Sequence, residues 1–520
     1  MKLSHLKKIR VAVSVLFFTT LSLLFLDLKN IISPTYTNYI TYLQFIPSLL
    51  KYLNLFSLAA AGFIIVLILT LLFGRVYCSS ICPIGTLQDI FSFIAKKINK
   101  KKYFRLLNPN DWLRYSFLAL AVIFFLSGSL FAINLLDPYS NFGRIFTQLF
   151  KPVIVGGNNL LVLLLEQFKN YSVYPLEIKT PDLGLLSFPL FFLAIIFWMS
   201  YKNGRLFCNT VCPVGTLLGL ISRISLFKIK IDEENCIGCN LCERVCKSGC
   251  IDKKNKYVDF SRCVSCYNCF AVCPSEGICF STVFEKPSKV ETFEVDYKKR
   301  EFVAGIIAYT IGSAGIAFAQ QKITPVKLST VQNLKKYPVA PPGSISIDHF
   351  TDSCTACHLC VSACPTKVLQ PSFLDYGFLG MLQPKMDYSV SFCNFECVIC
   401  SQVCPTGAIL PIKPEKKKLT QIGKVTFVKE NCVVHTEKTD CGACAEHCPT
   451  KAVHMVPFEN IKAPEIQNEY CIGCGACEYA CPTKPYKAIY VEGNPRQLTA
   501  KKKEEKKIEN KVNIEEDFPF

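Results

Sequence analysis

The chain has 520 residues, 50% of them hydrophobic, and a mean hydropathy of +0.29, which is too apolar for an ordinary water-soluble protein, so part of it belongs in lipid. Thirty cysteines on so long and apolar a chain exclude a small secreted disulfide scaffold. The formal charge of +18 comes from Lys and Arg crowded beside apolar segments and near the C-terminal end, as membrane-orienting flanks and a solvated docking face require, so no nucleic-acid partner is expected.

In chain order, four apolar segments approach the ~20 residues that a helix needs to cross a bilayer: 11–28, 53–73, 112–136 and 183–201. Lys2, Lys7, Lys8 and Arg10 precede the first, and Arg75, Lys96, Lys97, Lys100, Lys101, Lys102 and Arg105 follow the second, which puts both loops inside. Lys202 and Arg205 return the chain to the inside after the fourth, so 202–300 is expected on the cytoplasmic side. The apolar runs of 153–168 are interrupted by Gly156, Gly157, Asn158 and Asn159 and read as interfacial or re-entrant. A fifth, Gly- and Ala-rich segment, 302–319, either crosses, placing the rest outside, or acts as an export signal. Lys298-Lys299-Arg300 precedes it and Ala317-Phe318-Ala319 ends it, but Lys299 stands where a twin-arginine signal has its first arginine.

An internal repeat punctuates the helical part. Gly74-Arg75-Val76-Tyr77-Cys78 continues to Cys82-Pro83 and Gly85-Thr86-Leu87, and Gly204-Arg205-Leu206-Phe207-Cys208 continues to Cys212-Pro213 and Gly215-Thr216-Leu217. A spacing of four puts two thiols on one side of a helical turn. Cys78, Cys82, Cys208 and Cys212 are therefore candidate redox pairs, holding an additional cluster, forming a redox-active dithiol, or packing.

Beyond the repeat the spacing C-x2-C-x2-C-x3-C recurs in pairs, the ligand pattern of bacterial two-cluster ferredoxins, in which the fourth Cys of each run serves the other cubane. Crossing the fourth ligands gives six metal-binding sets. They are Cys236, Cys239, Cys242 with Cys273; Cys263, Cys266, Cys269 with Cys246; Cys354, Cys357, Cys360 with Cys404; Cys393, Cys397, Cys400 with Cys364; Cys432, Cys441, Cys444 with Cys481; and Cys471, Cys474, Cys477 with Cys448. Pro274, Pro365, Pro405, Pro449 and Pro482 follow the fourth Cys of five runs, whereas Lys247 follows Cys246. An extra residue separates Cys393 from Cys397, and an insertion of eight, 433–440, precedes Cys441. Zinc would use two well-separated C-x2-C knuckles instead. Cys354-Thr-Ala-Cys357-His358 satisfies the covalent-haem rule, but the surrounding run claims those thiols. His435 reads as an ordinary loop residue, and Cys250 and Cys279, left over, as structural.

The fold class expected is thus an α-helical membrane anchor, of about four helices with a fifth single span, carrying small α+β two-cluster ferredoxin domains. The anchor covers 1–230, an inner ferredoxin pair 231–285, the basic flank and fifth segment 286–320, a proline-stiffened linker 321–349, a four-cluster unit 350–498, and a charged, disordered tail 499–520.

With its two G-R-x-[YF]-C-x3-C-P-[IV]-G-T-L motifs and cytoplasmic ferredoxin pair, the chain over 1–285 resembles the membrane quinol-dehydrogenase component of periplasmic nitrate reductase systems, and related polyferredoxins of nitrous oxide and methylamine metabolism. The remainder resembles that component's periplasmic four-cluster ferredoxin partner, as if the two were fused. The resemblance implies a prokaryotic cytoplasmic-membrane protein with about six [4Fe–4S] clusters, the quinol pool as electron donor, and a periplasmic cytochrome or reductase as acceptor. An assembly or maturation factor and a redox-sensing regulator are the alternatives. No G-x-G-x-x-G loop or P-loop is present, and no His lies in a predicted span, so nicotinamide, ATP and bis-histidine haem chemistry are not expected.

Overall fold

In the computed structural model, which describes residues 4–28, 31–98, 103–108, 110–176, 183–282 and 331–502, unbroken apolar sequence makes the longest helices. Among the described residues, three stretches are long and apolar enough to cross a membrane: His5–Leu26, Pro138–Gln167 and Gly184–Asn203. Only 28%, 17% and 28% of their apolar windows is buried within the protein, so their Leu, Val and Phe side chains face outward, as lipid favours and water opposes. They correspond to α1 (Ser4–Leu26), to two helices joined end to end across 138–167, and to α11 (Leu183–Asn203).

Three expected segments take another form. Within 53–73 the chain leaves α3 (Phe45–Leu55), which follows α2 (Pro34–Thr41), through Phe56 in the left-handed region. After a 3-10 turn at Leu58–Ala60 comes α4 (Gly62–Phe73), whose 12 residues rise roughly 18 Å against a hydrocarbon core of about 30 Å. Ser48 Oγ donates to the Ala60 carbonyl and accepts from the Phe63 amide, both at 2.8 Å, so α3 folds back on α4. Within 112–136, α7 (Asp111–Leu126) stops before Gly128, at φ 84°, and restarts as α8 (Phe131–Leu136). Conversely, the apolar runs of 153–168, expected to be too short to span, are the far half of a continuous stretch long enough to cross a membrane. Asp137 caps α9 (Pro138–Ile145) by accepting from the Ser140 amide at 2.8 Å, and a π turn at Phe146–Phe150 leads into α10 (Lys151–Gln167). The apolar run starts at the Asp137-Pro138 cap, and Asn158 and Asn159 are satisfied by the Tyr174 and Leu176 carbonyls.

After the anchor come short antiparallel ribbons. β1 (Phe227–Ile231) pairs with β4 (Ile278–Thr282), and β2 (Ile251–Asp252) with β3 (Tyr257–Val258). Further on, β5 (Leu369–Pro371) pairs with β6 (Pro384–Met386), β7 (Thr420–Phe427) with β10 (Ile489–Thr499), and β8 (Val453–Phe458) with β9 (Ile461–Ile466). The segment 302–319 and the tail beyond 502 lie outside the described residues. From 331 the expected linker is instead packed on the C-terminal ferredoxin unit, named the outer unit for its expected side as the 231–282 unit is named the inner: Val339 and Ala340 are buried, and Asn333 donates to the Lys487 carbonyl at 2.8 Å.

The two ferredoxin units dock at opposite ends of α1. Near its start, Arg10 reaches Asp89 of α6 (Pro83–Ile98) at 2.9 Å, and the same carboxylate takes Arg205 at 2.9 Å and Lys247 of the inner unit at 3.1 Å. Lys247, in the place of the usual proline, therefore ties the inner unit to the anchor, and its carbonyl accepts from the Arg205 amide at 2.9 Å. Near the other end of α1, the Phe25 carbonyl accepts from Ser362 of the outer unit at 2.6 Å. Asn54 and Asn134 hold the Thr406 and Met381 carbonyls at 2.9 and 2.8 Å. Fifteen helical steps lead from Arg10 to Phe25, on the order of 22 Å.

Gly143 lies in this outer contact, where a Cβ would stand 2.2 Å from the Cys357 carbonyl. Gly143→Val is expected to loosen the outer unit by about 1–3 kcal/mol, measurable as faster proteolytic release of the fragment beyond 331 with the anchor unchanged.

Candidate metal centres

The paired motifs meet across a pseudo-twofold relation. α5 (Val76–Ser80) carries Cys78 and ends before Cys82, and α12 (Leu206–Thr210) carries Cys208 and ends before Cys212, which opens α13 (Pro213–Ser222). Each Cys pair thus straddles a helix break at the C-P step rather than one continuous turn. Arg75 Nη2 donates to the Cys208 carbonyl at 2.8 Å and Arg205 Nη1 to the Cys78 carbonyl at 2.5 Å, so each arginine clamps the other repeat. All four thiols are buried and lie within electrostatic reach of one another, Cys212 with each of the other three. Gln88 Nε2 donates to Cys208 Sγ at 3.2 Å, the Gly215 amide to Cys212 Sγ at 3.3 Å, and Arg75 Nη2 lies 3.9 Å from Cys78 Sγ. Amide and guanidinium donors aimed at sulfur stabilise thiolate charge.

The glycines of the motif exist for this approach, since a Cβ on Gly85 would stand 2.2 Å from the Cys78 carbonyl and one on Gly215 2.4 Å from the Cys208 carbonyl. Gly85→Ala with Gly215→Ala is expected to cost about 2–4 kcal/mol and to lower the thermal midpoint of the detergent-solubilised protein. An unchanged midpoint would mean that the breaks relax freely.

Around the ferredoxin runs, crossed thiols come together. One pocket is lined by Cys246, Cys263, Cys266 and Cys269, another by Cys432, Cys441, Cys444 and Cys481. Cys404 lies against Cys354, Cys357 and Cys360, Cys364 against Cys393 and Cys400, and Cys448 against Cys471, Cys474 and Cys477. Cys242 neighbours Cys236 and Cys239 and packs on the same apolar core as Cys273. The extra residue between Cys393 and Cys397 is accommodated by Lys417, whose Nζ takes the Asn394 and Phe395 carbonyls. The insertion folds as a turn with His435 between Phe427 and Phe458, so Cys432 keeps its place.

Burial pushes the Cys357 and Cys393 thiols up to about 12, and burial with Cys441, Cys481 and Cys432 does the same to Cys444. Such sets hold negative charge only with a cation at their centre, which iron supplies. Among the described residues no three His, Cys, Asp or Glu side chains converge tightly enough to share one ion; the thiols stand around pockets, as the corners of a cubane require.

His358 is not available to haem. Its ring is buried between Gln148 Nε2 at 3.0 Å and the Leu382 carbonyl at 2.8 Å, and burial pushes its pKa down to about 3. Cys250 is buried in the inner core, as a structural residue would be. Its Sγ stands 3.5 Å from Cys246 Sγ and it also bonds Cys263, and this contact draws the Cys246 thiol down to about 7. Only its place just after a run pointed to it. Cys279 lies on β4, half-buried.

Between the paired motifs and the outer unit runs a buried polar column that the sequence did not single out. Tyr77 Oη donates to Gln44 Oε1 at 3.3 Å and lies within electrostatic reach of Cys82, Asp137 and Cys78. Tyr139, wholly buried, reaches Asp137 on one side and Cys357, Cys404 and Cys360 on the other.

Comparison with known proteins places 4Fe-4S domains over the same regions. A 4Fe-4S binding domain family matches 55–101 and 185–232, one 4Fe-4S dicluster domain family matches 235–277 and 439–484, and a second matches 353–409. The chain is 30% identical over 233 residues to the uncharacterized protein MJ0749 of Methanocaldococcus jannaschii, covering 44% of this chain and 72% of that protein. It is 28% identical over 141 residues to the methylamine utilization ferredoxin-type protein MauM of Methylobacillus flagellatus, 26% of this chain and 59% of MauM. To the ferredoxin-type protein NapF of Escherichia coli it is 27% identical over 136 residues, 26% of this chain and 74% of NapF. No solved structure matches.

Proposed function

Because the chain belongs to the family of MJ0749 and is an iron–sulfur electron-transfer protein with several 4Fe-4S ferredoxin domains, we propose that it conducts electrons across the cytoplasmic membrane. The observation that carries this reading is the docking of the two ferredoxin units at opposite ends of α1, with Cys78, Cys82, Cys208 and Cys212 buried between them. The inner unit then faces the cytoplasm and the outer one the periplasm, in keeping with the Lys and Arg flanks.

The six crossed cysteine sets, Cys236 through Cys481, hold cubanes, each of which takes up and releases a single electron when bound. Cys78, Cys82, Cys208 and Cys212 hold a seventh centre shared by the two repeats, a reading supported by the match of the 4Fe-4S binding domain family to both copies. The clamp of Arg75 and Arg205, the Gln88 amide and the Gly215 amide set its charge. Membrane quinol feeds the relay beside these motifs, and a periplasmic cytochrome or reductase drains it, as the resemblance implies.

Anaerobic addition of a menaquinol analogue to the cluster-loaded full chain tests this. The broad visible absorbance is expected to bleach and the reduced-cluster EPR signal to appear. Full reduction by dithionite with none by quinol would remove quinol as donor.

A further inference from the structure

Resting on this relay, we infer that Cys432, Cys441, Cys444 and Cys481 form the outer electron-exchange site, and that the insertion 433–440 beside them is the docking face for a basic, soluble one-electron carrier protein. In sequence the Cys432 run comes third of the four outer runs. In space it comes last.

The Cys354 set is the one seated on the anchor, with Gly143 packed on the Cys357 carbonyl and Gln148 on His358. Cys360 neighbours Cys400, which brings the Cys393 set next. The Cys393 amide then donates to the Cys474 carbonyl at 2.9 Å, joining the Cys393 set to the Cys471 set and bypassing the run between them in sequence. Tyr388 braces that junction, its hydroxyl bonded to the Gly473 carbonyl at 2.5 Å and its ring filling the space that Gly475 leaves. Cys477 neighbours Cys444, so the Cys432 set follows the Cys471 set at the far end.

At the anchor end Cys354, Cys357, Cys360 and Cys404 are all buried; the next two sets are half-buried at Cys397, Cys400 and Cys364 and at Cys474, and at the far end Cys441 and Cys444 are half-buried with the adjoining residues 436–440 exposed. The chemistry of this face runs against the rest of the chain. Glu437, Asp440 and Glu446 are exposed beside the set and Lys438 is neutralised by both carboxylate oxygens of Glu459 at 2.8 Å; Lys484 and Lys487, whose Nζ bonds the Cys481 carbonyl, are the opposing cations, on a protein of formal charge +18. An acidic rim around a half-exposed redox centre selects a partner with a basic face and steers its approach.

The test uses the cluster-loaded full chain, menaquinol analogue as donor, and oxidised cytochrome c as the basic acceptor. Cys441→Ser is expected to leave the Cys471 set reducible, by EPR spin count, while cytochrome c reduction falls roughly a hundredfold. Glu437→Lys with Asp440→Lys, which removes no thiol, is expected to keep every cluster signal and cut the rate about tenfold at low salt, with its salt dependence lost. In the parent protein, cytochrome c is expected to protect Glu437, Asp440 and Glu446 from carboxylate labelling. A Cys441→Ser protein whose Cys471 set stays oxidised, or an unchanged rate in the charge-reversed protein, overturns the inference, as does labelling that cytochrome c leaves unaltered. If quinol reduces no outer set in the parent protein, the proposed relay fails instead, and the labelling still decides the docking face.

Discussion

Alanine at Cys78, Cys82, Cys208 and Cys212 together is expected to slow reduction of the outer clusters by a menaquinol analogue roughly a hundredfold or more, equivalent to at least about 2.7 kcal/mol in barrier. These thiols fill the gap between two docked units, and nothing else among the described residues offers four sulfurs there. Iron bound by the six ferredoxin sets should be retained, because none of the four thiols belongs to those sets or lines the pockets of the Cys263 and Cys432 sets. Iron analysis and EPR after dithionite check that retention, and stopped-flow absorbance checks the rate. Wild-type kinetics in this variant would reduce the paired motifs to packing.

Asp89→Ala is expected to cost about 3–5 kcal/mol, since it strands the buried cations Arg10, Arg205 and Lys247 without their shared carboxylate. The readout is the denaturant midpoint for loss of the inner unit from the anchor. Burial alone would raise the Asp89 carboxyl, but Arg205, Lys247 and Arg10 hold it well below the usual carboxylate range. A depressed carboxyl contributes stability above its unfolded value of about 4 and loses it as pH falls through the native value. The parent protein should therefore keep its inner unit docked at pH 4–5 and release it only in stronger acid, whereas Asp89→Ala should have lost that acid dependence. Release of the parent's inner unit between pH 5 and 4 would contradict the ion cluster.

The cysteine chemistry was legible because cubane ligation is a local pattern: three thiols within seven residues and a fourth in the neighbouring run. Cys404, Cys364, Cys448 and Cys481 lie within reach of thiols of the runs with which the spacing pairs them. Helix continuity was harder to read. Hydropathy counts apolar residues but is blind to the break at Phe56, the turn at Gly128 and the Asp137 cap, so two predicted spans shorten and 153–168 joins a longer helix. What the sequence withheld most completely is long-range. Lys247 reads as a lost proline until Asp89 is seen 3.1 Å away, and the buried Cys250 gives no sign in sequence of the Cys246 sulfur 3.5 Å from its own. The order of the outer sets rests on contacts between residues far apart in the chain, among them the hydrogen bond from the Cys393 amide to the Cys474 carbonyl.

The most direct measurement is electron transfer across a sealed membrane. The full chain is reconstituted into liposomes in one orientation, with dithionite outside on the inner-unit face and ferricyanide trapped within. Conduction through the chain predicts protein-dependent bleaching of the trapped ferricyanide, lost in the Cys78, Cys82, Cys208, Cys212→Ala protein. Ferricyanide that stays oxidised while the inner clusters are reduced would contradict it.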